Sequence, residues 1–412
     1  MPHVNSGDTA WVLASSALVL FMTPGLAFFY GGMVRRKNVL GMLMQNYVVM
    51  GIVGVVWAWL TYSLAFGVDW GGHGIIGTFH FAGLLHIDNE AVPGYAGSLV
   101  QSIPPIVFVV FQMMFAVITV GLITGSSADR IKFGAFVAFA IAWSVLVYAP
   151  VAHWVFSPTG WLAKQGSQDF AGGTVVHINA AMGGAALALV AGRRKGWPRT
   201  TMDPHNIPFT VLGAGILWFG WFGFNAGSAF TSGALASSAL VNTQLGAAAA
   251  TLTWLVAERV RNGRVTTVGA ATGAVAGLAT ITPASGYVAP MSALAIGAAA
   301  GILCFVAVGV KDRLGYDDSL DVVGVHMVGG ILGVILTGAF ASLAINPAGA
   351  AASLTQVGRQ VVLAGVTVGY SFVVTLVILK VVDVVVGLRL SEEHEDVGMD
   401  ASLHGEVAYR TD

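Results

Sequence analysis

Gly172-Gly173-Thr174-Val175-Val176-His177, followed by Gly183-Gly184, and Val322-Val323-Gly324-Val325-His326, followed by Gly329-Gly330, are the stretches on which the fold turns. Each sets one imidazole deep in a run that is otherwise small or apolar. A helix of about 20 such residues spans a bilayer, and paired glycines let a neighbouring helix approach closely. The two runs stand fifth and tenth in a series of eleven. Each therefore closes a set of five, and because five is odd the second set must enter from the opposite side. That is an inverted repeat, which in transporters brackets a site near the midplane.

The series places spanning helices near 9–30, 39–66, 101–125, 133–154, 171–191, 207–230, 237–257, 265–282, 290–310, 319–340 and 361–388. Most runs are too long and too uniformly apolar for barrel strands, which alternate over about 10 residues. Breaks such as Thr23-Pro24-Gly25 and Ile103-Pro104-Pro105 are tolerated where neighbouring helices satisfy the freed backbone groups. Composition agrees. Of 412 residues, 9% are charged and 56% hydrophobic, with 54 glycines and a mean hydropathy of +0.78. Too few polar side chains exist to cover a water-facing surface, which excludes a soluble enzyme, and such a hydrophobic chain is not disordered. A net charge of −1 argues against a nucleic-acid partner. The single cysteine, Cys304, excludes an intrachain disulfide and a cysteine-based metal cluster.

Orientation follows from the basic residues. Arg35, Arg36 and Lys37 follow helix 1, Arg130 and Lys132 helix 3, and Arg193, Arg194, Lys195 and Arg199 helix 5. Arg259, Arg261 and Arg264 follow helix 7, and Lys311 and Arg313 helix 9; Lys380, Arg389 and Arg410 lie at or beyond the end of helix 11. The loop from Gly67 to Val100 has no Lys or Arg but holds Asp69, Asp88 and Glu90; only Lys164 and Arg359 fall on that side. The positive-inside rule puts the N-terminus outside and the C-terminus in the cytoplasm. His3 and Asp8 are the only ionisable side chains before helix 1, so no cleavable signal is read there.

His177 and His326 are the two histidines deep inside apolar runs. An ionisable group inside a membrane points to function, although a single one can be a packing histidine between helices. No third ligand shares their depth, so no metal site is expected. Asp169 precedes His177 by about two turns, ~12 Å, near the outer face. It could transfer a proton, bind a cation, or cap helix 5 and organise Gly172 and Gly173. On helix 6, Trp221, Phe224 and Ser228 share one face; on helix 3, Phe111 and Phe115 form a pair one turn apart. Desolvated aromatic faces attract cations. Such rings can equally form a packing stripe.

Several further stretches carry a resemblance. They are Phe28-Phe29-Tyr30-Gly31-Gly32 with Lys37-Asn38-Val39-Leu40, Phe111-Gln112-Met113-Met114-Phe115, and Asp169-Phe170-Ala171-Gly172 through Asn179. They continue with Gly220-Trp221-Phe222-Gly223-Phe224-Asn225-Ala226-Gly227-Ser228, Asp317-Asp318-Ser319-Leu320-Asp321 leading to His326, Gly387-Leu388-Arg389, and His404-Gly405-Glu406-Val407-Ala408-Tyr409. From about Ala10 to the C-terminus the chain resembles the ammonium transporters of the Amt/Mep/Rh family, in their bacterial Amt branch. The resemblance implies an outer ammonium site with Phe111 and Ser228, supported by Asp169. It implies a stacked gate of Phe115 and Phe224, Trp221 lining the pore, and a hydrogen-bonded pair of His177 and His326. The sequence departs from that pattern at Phe156, within His153-Trp154-Val155-Phe156-Ser157, where related chains often carry tryptophan. The spacing to Asp169 is also one residue longer, so Phe156, Trp154 or Trp161 is left to complete the outer cage.

The expected architecture is therefore an all-α polytopic membrane protein. It has a transmembrane domain over 1–388, with halves near 9–191 and 207–340 and an eleventh helix at 361–388, followed by a cytoplasmic tail over 389–412. By resemblance, it is a homotrimer in the cell membrane that takes up ammonium as ammonia. It uses no cofactor, and its tail is reached by a trimeric PII-type nitrogen-signalling protein. Two rivals stand beside this reading. One is an ammonium sensor or regulated scaffold of the same family; the other is an intramembrane hydrolase using His177, His326 and Asp169. No activated nucleophile or metal-ligand triad in the sequence supports the second.

Overall fold

The computed structural model of the chain describes residues 4–87, 92–95 and 98–409. His3, Asp88, Glu90 and Arg410 lie outside them. Among the described residues there are helices and three isolated bridges, Asp69 to Gly77, Ile131 to Arg389 and Val288 to Ala341, but no strands.

Ten helices are long and apolar enough to cross a membrane, and an eleventh is shorter. They are α1 (Ser6–Met33), α2 (Arg36–Phe66), α3 (Pro105–Ser127), α4 (Phe133–Lys164), α5 (Gly173–Ala191) and α6 (Ile207–Gly227). There follow α7 (Ala234–Asn262), α8 (Thr267–Ile281), α9 (Pro290–Leu314), α10 (Val323–Phe340) and α11 (Leu354–Val385). Each falls on one of the eleven expected runs. The chain is a multi-pass membrane protein.

The ends differ from expectation where capping overrides hydropathy. Helix α11 starts at Leu354, well before the apolar run, because the Ser353 side chain accepts from Gln356 N and caps it. Helix α10 starts at Val323, later than expected. Its N–H is taken by the Asp318 carboxylate at 2.7 Å, while Asp321 holds a left-handed φ of 63°. Helix α8 has only 15 residues, about 22 Å of rise against a hydrocarbon core of about 30 Å. The crossing is completed by an irregular, mostly buried stretch over 282–288.

Small residues set the packing. Helix α1 lies along α6, the first helix of the second half, with almost no space between backbones. A Cβ on Gly213 would stand 2.2 Å from the Phe29 nitrogen. Helices α5 and α10 cross antiparallel. Gly330 of α10 packs on the Gly173 carbonyl at the start of α5, and Gly184 of α5 approaches Val322 at the start of α10. One glycine of each pair that marked the repeat thus lies where its two histidine helices meet, while Gly183 faces Trp143 and Gly329 faces Thr280.

The ends of the bundle are chemically distinct. At one end Asp129 and Asp317 are buried among Arg35, Arg130 and Arg194, and Arg194 Nη2 lies 2.8 Å from Asp317 Oδ1. Residues 389–409 pack against the same end, with Arg389 Nη2 2.6 Å from Glu395 Oε1 and Lys195 Nζ 2.6 Å from Asp396 Oδ2. At the other end Asp69 pairs with His153 at 3.0 Å, and the Trp154 indole donates to the Ile75 carbonyl. This separation is the charge asymmetry read from the sequence.

Candidate functional site

Helix α5 begins in a left-handed turn at Gly172, φ 114°, a conformation that favours glycine. The Asp169 carboxylate closes this turn. Its Oδ1 accepts from Gly172 N at 2.9 Å and Gly173 N at 2.7 Å, and its Oδ2 from Thr174 N at 2.8 Å and from the Thr174 hydroxyl. Of the three roles open to Asp169, this geometry is that of the cap, with both oxygens already occupied by the helix start. The first turn, Gly173–Ile178, is a π-helix that carries His177. Helix α10 repeats the device: Asp318 caps Val323 N, and the π turn Val323–Met327 carries His326. The interval from Asp169 to His177 equals that from Asp318 to His326. π turns inside helices occur frequently at functional sites.

The rings form a column. Phe111 and Phe115 stand 4.9 Å apart, and Phe115 stacks on Phe224 at 4.2 Å and 27°. The His177 ring lies 6.1 Å from Phe224 and 5.5 Å from Trp221, nearly parallel to both planes or tilted by 24° and 23° respectively. His326 stacks on His177 at 5.2 Å and 18°. The structure thus brings Phe111, Phe115, Phe224, Trp221, His177 and His326 together. Beneath Phe115, the rings of Phe224, Trp221, His177 and His326 enclose, with Met22, Leu26 and Tyr30, a lumen of about 10 Å³, room for about one water-sized molecule.

Two expectations about this column need adjustment. The hydrogen bond expected between the histidines is not made. The rings lie 5.2 Å apart and within 18° of parallel, and neither nitrogen of His177 has a hydrogen-bond partner. These unpartnered nitrogens are the polar groups at the centre of an apolar lane. The outer cage is the second point. Phe156 packs edge-on to Phe115 at 6.4 Å, whereas Trp154 turns to Tyr370 of α11 at 4.6 Å and Trp161 packs on Trp154. Of the three candidates, Phe156 is the one whose ring packs against Phe115. Ser228 caps this region with its hydroxyl donating to the Phe224 carbonyl at 2.8 Å.

Sequence reasoning missed two residues. Phe230 packs 5.5 Å from Phe111 with a left-handed φ of 54°; only its closeness in sequence to Ser228 pointed there. Thr282 accepts a 2.8 Å hydrogen bond from the Trp221 indole, a contact for which the sequence carried no signal.

Electrostatics differ outside the membrane. Burial alone would raise the Asp317 carboxyl, but the Arg194 guanidinium more than offsets this and holds it below the usual carboxylate range. Burial pushes Arg130 down to about 10 despite Asp317. Among the described residues no group of three His, Cys, Asp or Glu side chains could hold a metal ion.

Comparison with known proteins matches this architecture. The pattern of the Ammonium Transporter Family matches residues 10–409. The chain is 50% identical to a Mycobacterium tuberculosis protein named Ammonium transporter, across 98% of this chain and 90% of that one. It is 44% identical to the Ammonium transporter of Bacillus subtilis, across 98% of both. Among solved structures, Mep2 of Saccharomyces cerevisiae superposes with a TM-score of 0.87 at 36% identity, covering 95% of this chain and 89% of that one. A Sensor Amt Protein superposes at 0.88 with 28% identity, covering 97% and 98%. With the fold, the order of motifs and the relatives in agreement, the chain belongs to the Ammonium Transporter Family.

Proposed function

We propose that the chain conducts ammonium nitrogen inward as ammonia. Ammonium is drawn to the outer aromatic cluster of Phe111, Phe156 and Ser228, which Asp169 supports through the backbone it caps. There it gives up a proton to water, and that proton crosses in parallel with the ammonia, so that one positive charge moves with each molecule and transport carries a current. Ammonia passes the Phe115–Phe224 gate and the lumen beside His177 and His326, and is reprotonated in the cytoplasm. One observation carries this reading: stacked phenylalanines seal a lumen of about 10 Å³ whose polar groups include unpartnered imidazole nitrogens. A bare cation at this depth is expensive, and a hydrated ion does not fit. A neutral molecule able to hydrogen-bond to imidazole does. Sodium and potassium have no proton to give up and are excluded.

By family resemblance the assembly is a homotrimer with one pore per subunit, and residues 389–412 form a regulatory tail reached by a PII-type protein. The packing of 389–409 on the cytoplasmic loops supports the second point, because a partner there could reach the pore mouths. It also favours a second reading, an ammonium sensor whose tail matters more than its conductance. Complementation of ammonium-limited growth separates the two.

The pore is tested with purified protein on a supported membrane. Ammonium jumps should give a current, while sodium and potassium jumps give none. In His177→Ala and His326→Ala variants, at matched amounts of intact protein, we expect lost transport or a conductance that admits potassium. Unchanged rate and selectivity in both variants would refute the pore assignment.

A further inference from the structure

Helix α8 stops inside the bundle, and the stop has a consequence for the pore. Non-helical backbone at membrane depth persists only where protein satisfies it. Over 282–288 that condition is met. Asn242 Nδ2 donates to the Ser285 and Val288 carbonyls at 2.8 and 2.7 Å, Phe170 N to the Pro283 carbonyl at 3.1 Å, and Ser342 N to the Tyr287 carbonyl at 2.8 Å. The break leaves the Thr282 side chain at the end of α8, fully buried, with its hydroxyl donating to the Leu278 carbonyl at 2.8 Å. The hydroxyl oxygen then accepts the Trp221 indole N–H at 2.8 Å.

Trp221 is itself 2% exposed, and its ring faces His177 at 5.5 Å. An indole has one donor and no acceptor. Without Thr282, the buried N–H must find another acceptor or remain unsatisfied. The unpartnered nitrogens of His177 lie across the ring contact. An indole turned toward them would occupy a lumen of about 10 Å³ and take the acceptors that a passing molecule needs.

We propose that Thr282 is a positioning residue of the pore: it holds the Trp221 N–H away from the lumen, so that the indole presents its face to His177 and leaves the imidazole nitrogens to the transported molecule. The interrupted α8 is the device that puts a hydroxyl at that depth. This inference rests on the pore reading above.

The test compares Thr282→Val, which keeps the shape and removes the acceptor, with Thr282→Ser, which keeps the acceptor. Ammonium current is measured per intact protein in a supported membrane, beside His177→Ala. Thr282→Val should lower the current about tenfold, the equivalent of one lost net hydrogen bond, and Thr282→Ser should restore it. Trp221→Phe removes the donor that could turn into the lumen, so in that background Thr282→Val should cause no further loss. That pair decides the matter even if Thr282→Val alone folds poorly. Wild-type current in Thr282→Val overturns the inference, as does a loss when Thr282→Val is added to Trp221→Phe. If His177→Ala also behaves as wild type, the pore reading falls; if only His177→Ala changes transport, the positioning role alone falls.

Discussion

Phe230 stands where a helix end ordinarily places glycine. Its N–H closes α6 by donating to the Gly227 carbonyl at 2.9 Å, and its φ of 54° is left-handed. For a bulky residue that conformation costs about 1–3 kcal/mol. The ring lies against Phe108 at 5.3 Å and Phe111 at 5.5 Å, beside Ser228. Phe230→Gly therefore sets two terms against each other. Relieving the backbone offsets the lost burial of a partly exposed ring, about 1–2 kcal/mol, so thermal stability should change little. Function should change more, because the outer aromatic cluster loses a wall. A cation–π contribution of about 0.5–1 kcal/mol corresponds to a rise of roughly twofold to fivefold in the ammonium concentration that half-saturates the current. A half-saturation point equal to the parent's, with normal maximal current, would remove Phe230 from the outer site.

The tail shows what one element can add at the cytoplasmic end. Helix α12 (Glu392–Val397) is capped by Ser391, and Lys37 Nζ donates to the Glu395 carbonyl at 2.8 Å. Next to it Met399 N donates to Asn38 Oδ1, and Asp400 Oδ1 accepts from Gly41 N at 2.9 Å. Burial raises the Asp400 carboxyl above its ordinary value, and nearby Asp129 adds to the rise, while the Gly41 N–H and His404 oppose it. The docked tail thus binds this proton more tightly than a released tail does. Docking should strengthen as pH falls through the raised value and weaken above it. Asp396 works in the opposite sense, held low by Lys195, so its contribution is lost only at pH below the ordinary carboxylate range. Limited proteolysis of residues 389–409 should therefore slow as pH is lowered from neutral through the raised Asp400 value. Asp400→Asn retains an acceptor for Gly41 N and should flatten that dependence. A pH profile identical in the variant would show that groups other than Asp400 govern docking. Little of this was legible beforehand. The acidic run Glu392-Glu393-His394-Glu395-Asp396 reads equally well as a solvated end, and what orders it is backbone donors and carbonyls on distant loops. The early stop of α8 was hidden for a similar reason, since residues 282–288 stay apolar enough to pass as helix.

At the scale of the whole molecule, what the sequence revealed and what it hid divide along physical lines. Hydropathy, glycine pairs and the sign of loop charges are properties of single segments, so eleven crossings and their orientation could be read directly. Helical period put Trp221, Phe224 and Ser228 on one face and Phe111 and Phe115 on another, but their assembly into one column was implied only by the family resemblance. Side-chain geometry could not be read, and the hydrogen bond expected between the histidines is not made. Pairing among the cytoplasmic charges was equally hidden. The arginines counted for orientation prove to be structural. Arg35 follows α1, Asp129 and Arg130 follow α3, Arg194 follows α5 and Asp317 precedes α10, so one buried network ties loops of both halves. Arg194 N, Nε and Nη2 all donate to Asp317, and the Arg130 guanidinium adds a further contact at 3.4 Å. Removing one partner of such a network leaves charge buried and unpaired, at roughly 3–5 kcal/mol. Asp317→Ala should therefore lower the unfolding midpoint in detergent markedly. Arg359→Ala, exposed at the opposite end, should shift stability by no more than about 0.5 kcal/mol. The pH sense follows from the lowered Asp317 value. Its stabilisation is present above the ordinary carboxylate value and lost as pH falls through the lowered one. The parent should therefore keep this contribution at pH 5, and the gap between parent and Asp317→Ala should close only in stronger acid. Equal midpoints for the parent and Asp317→Ala at pH 7 would mean that the network does not hold the two halves together.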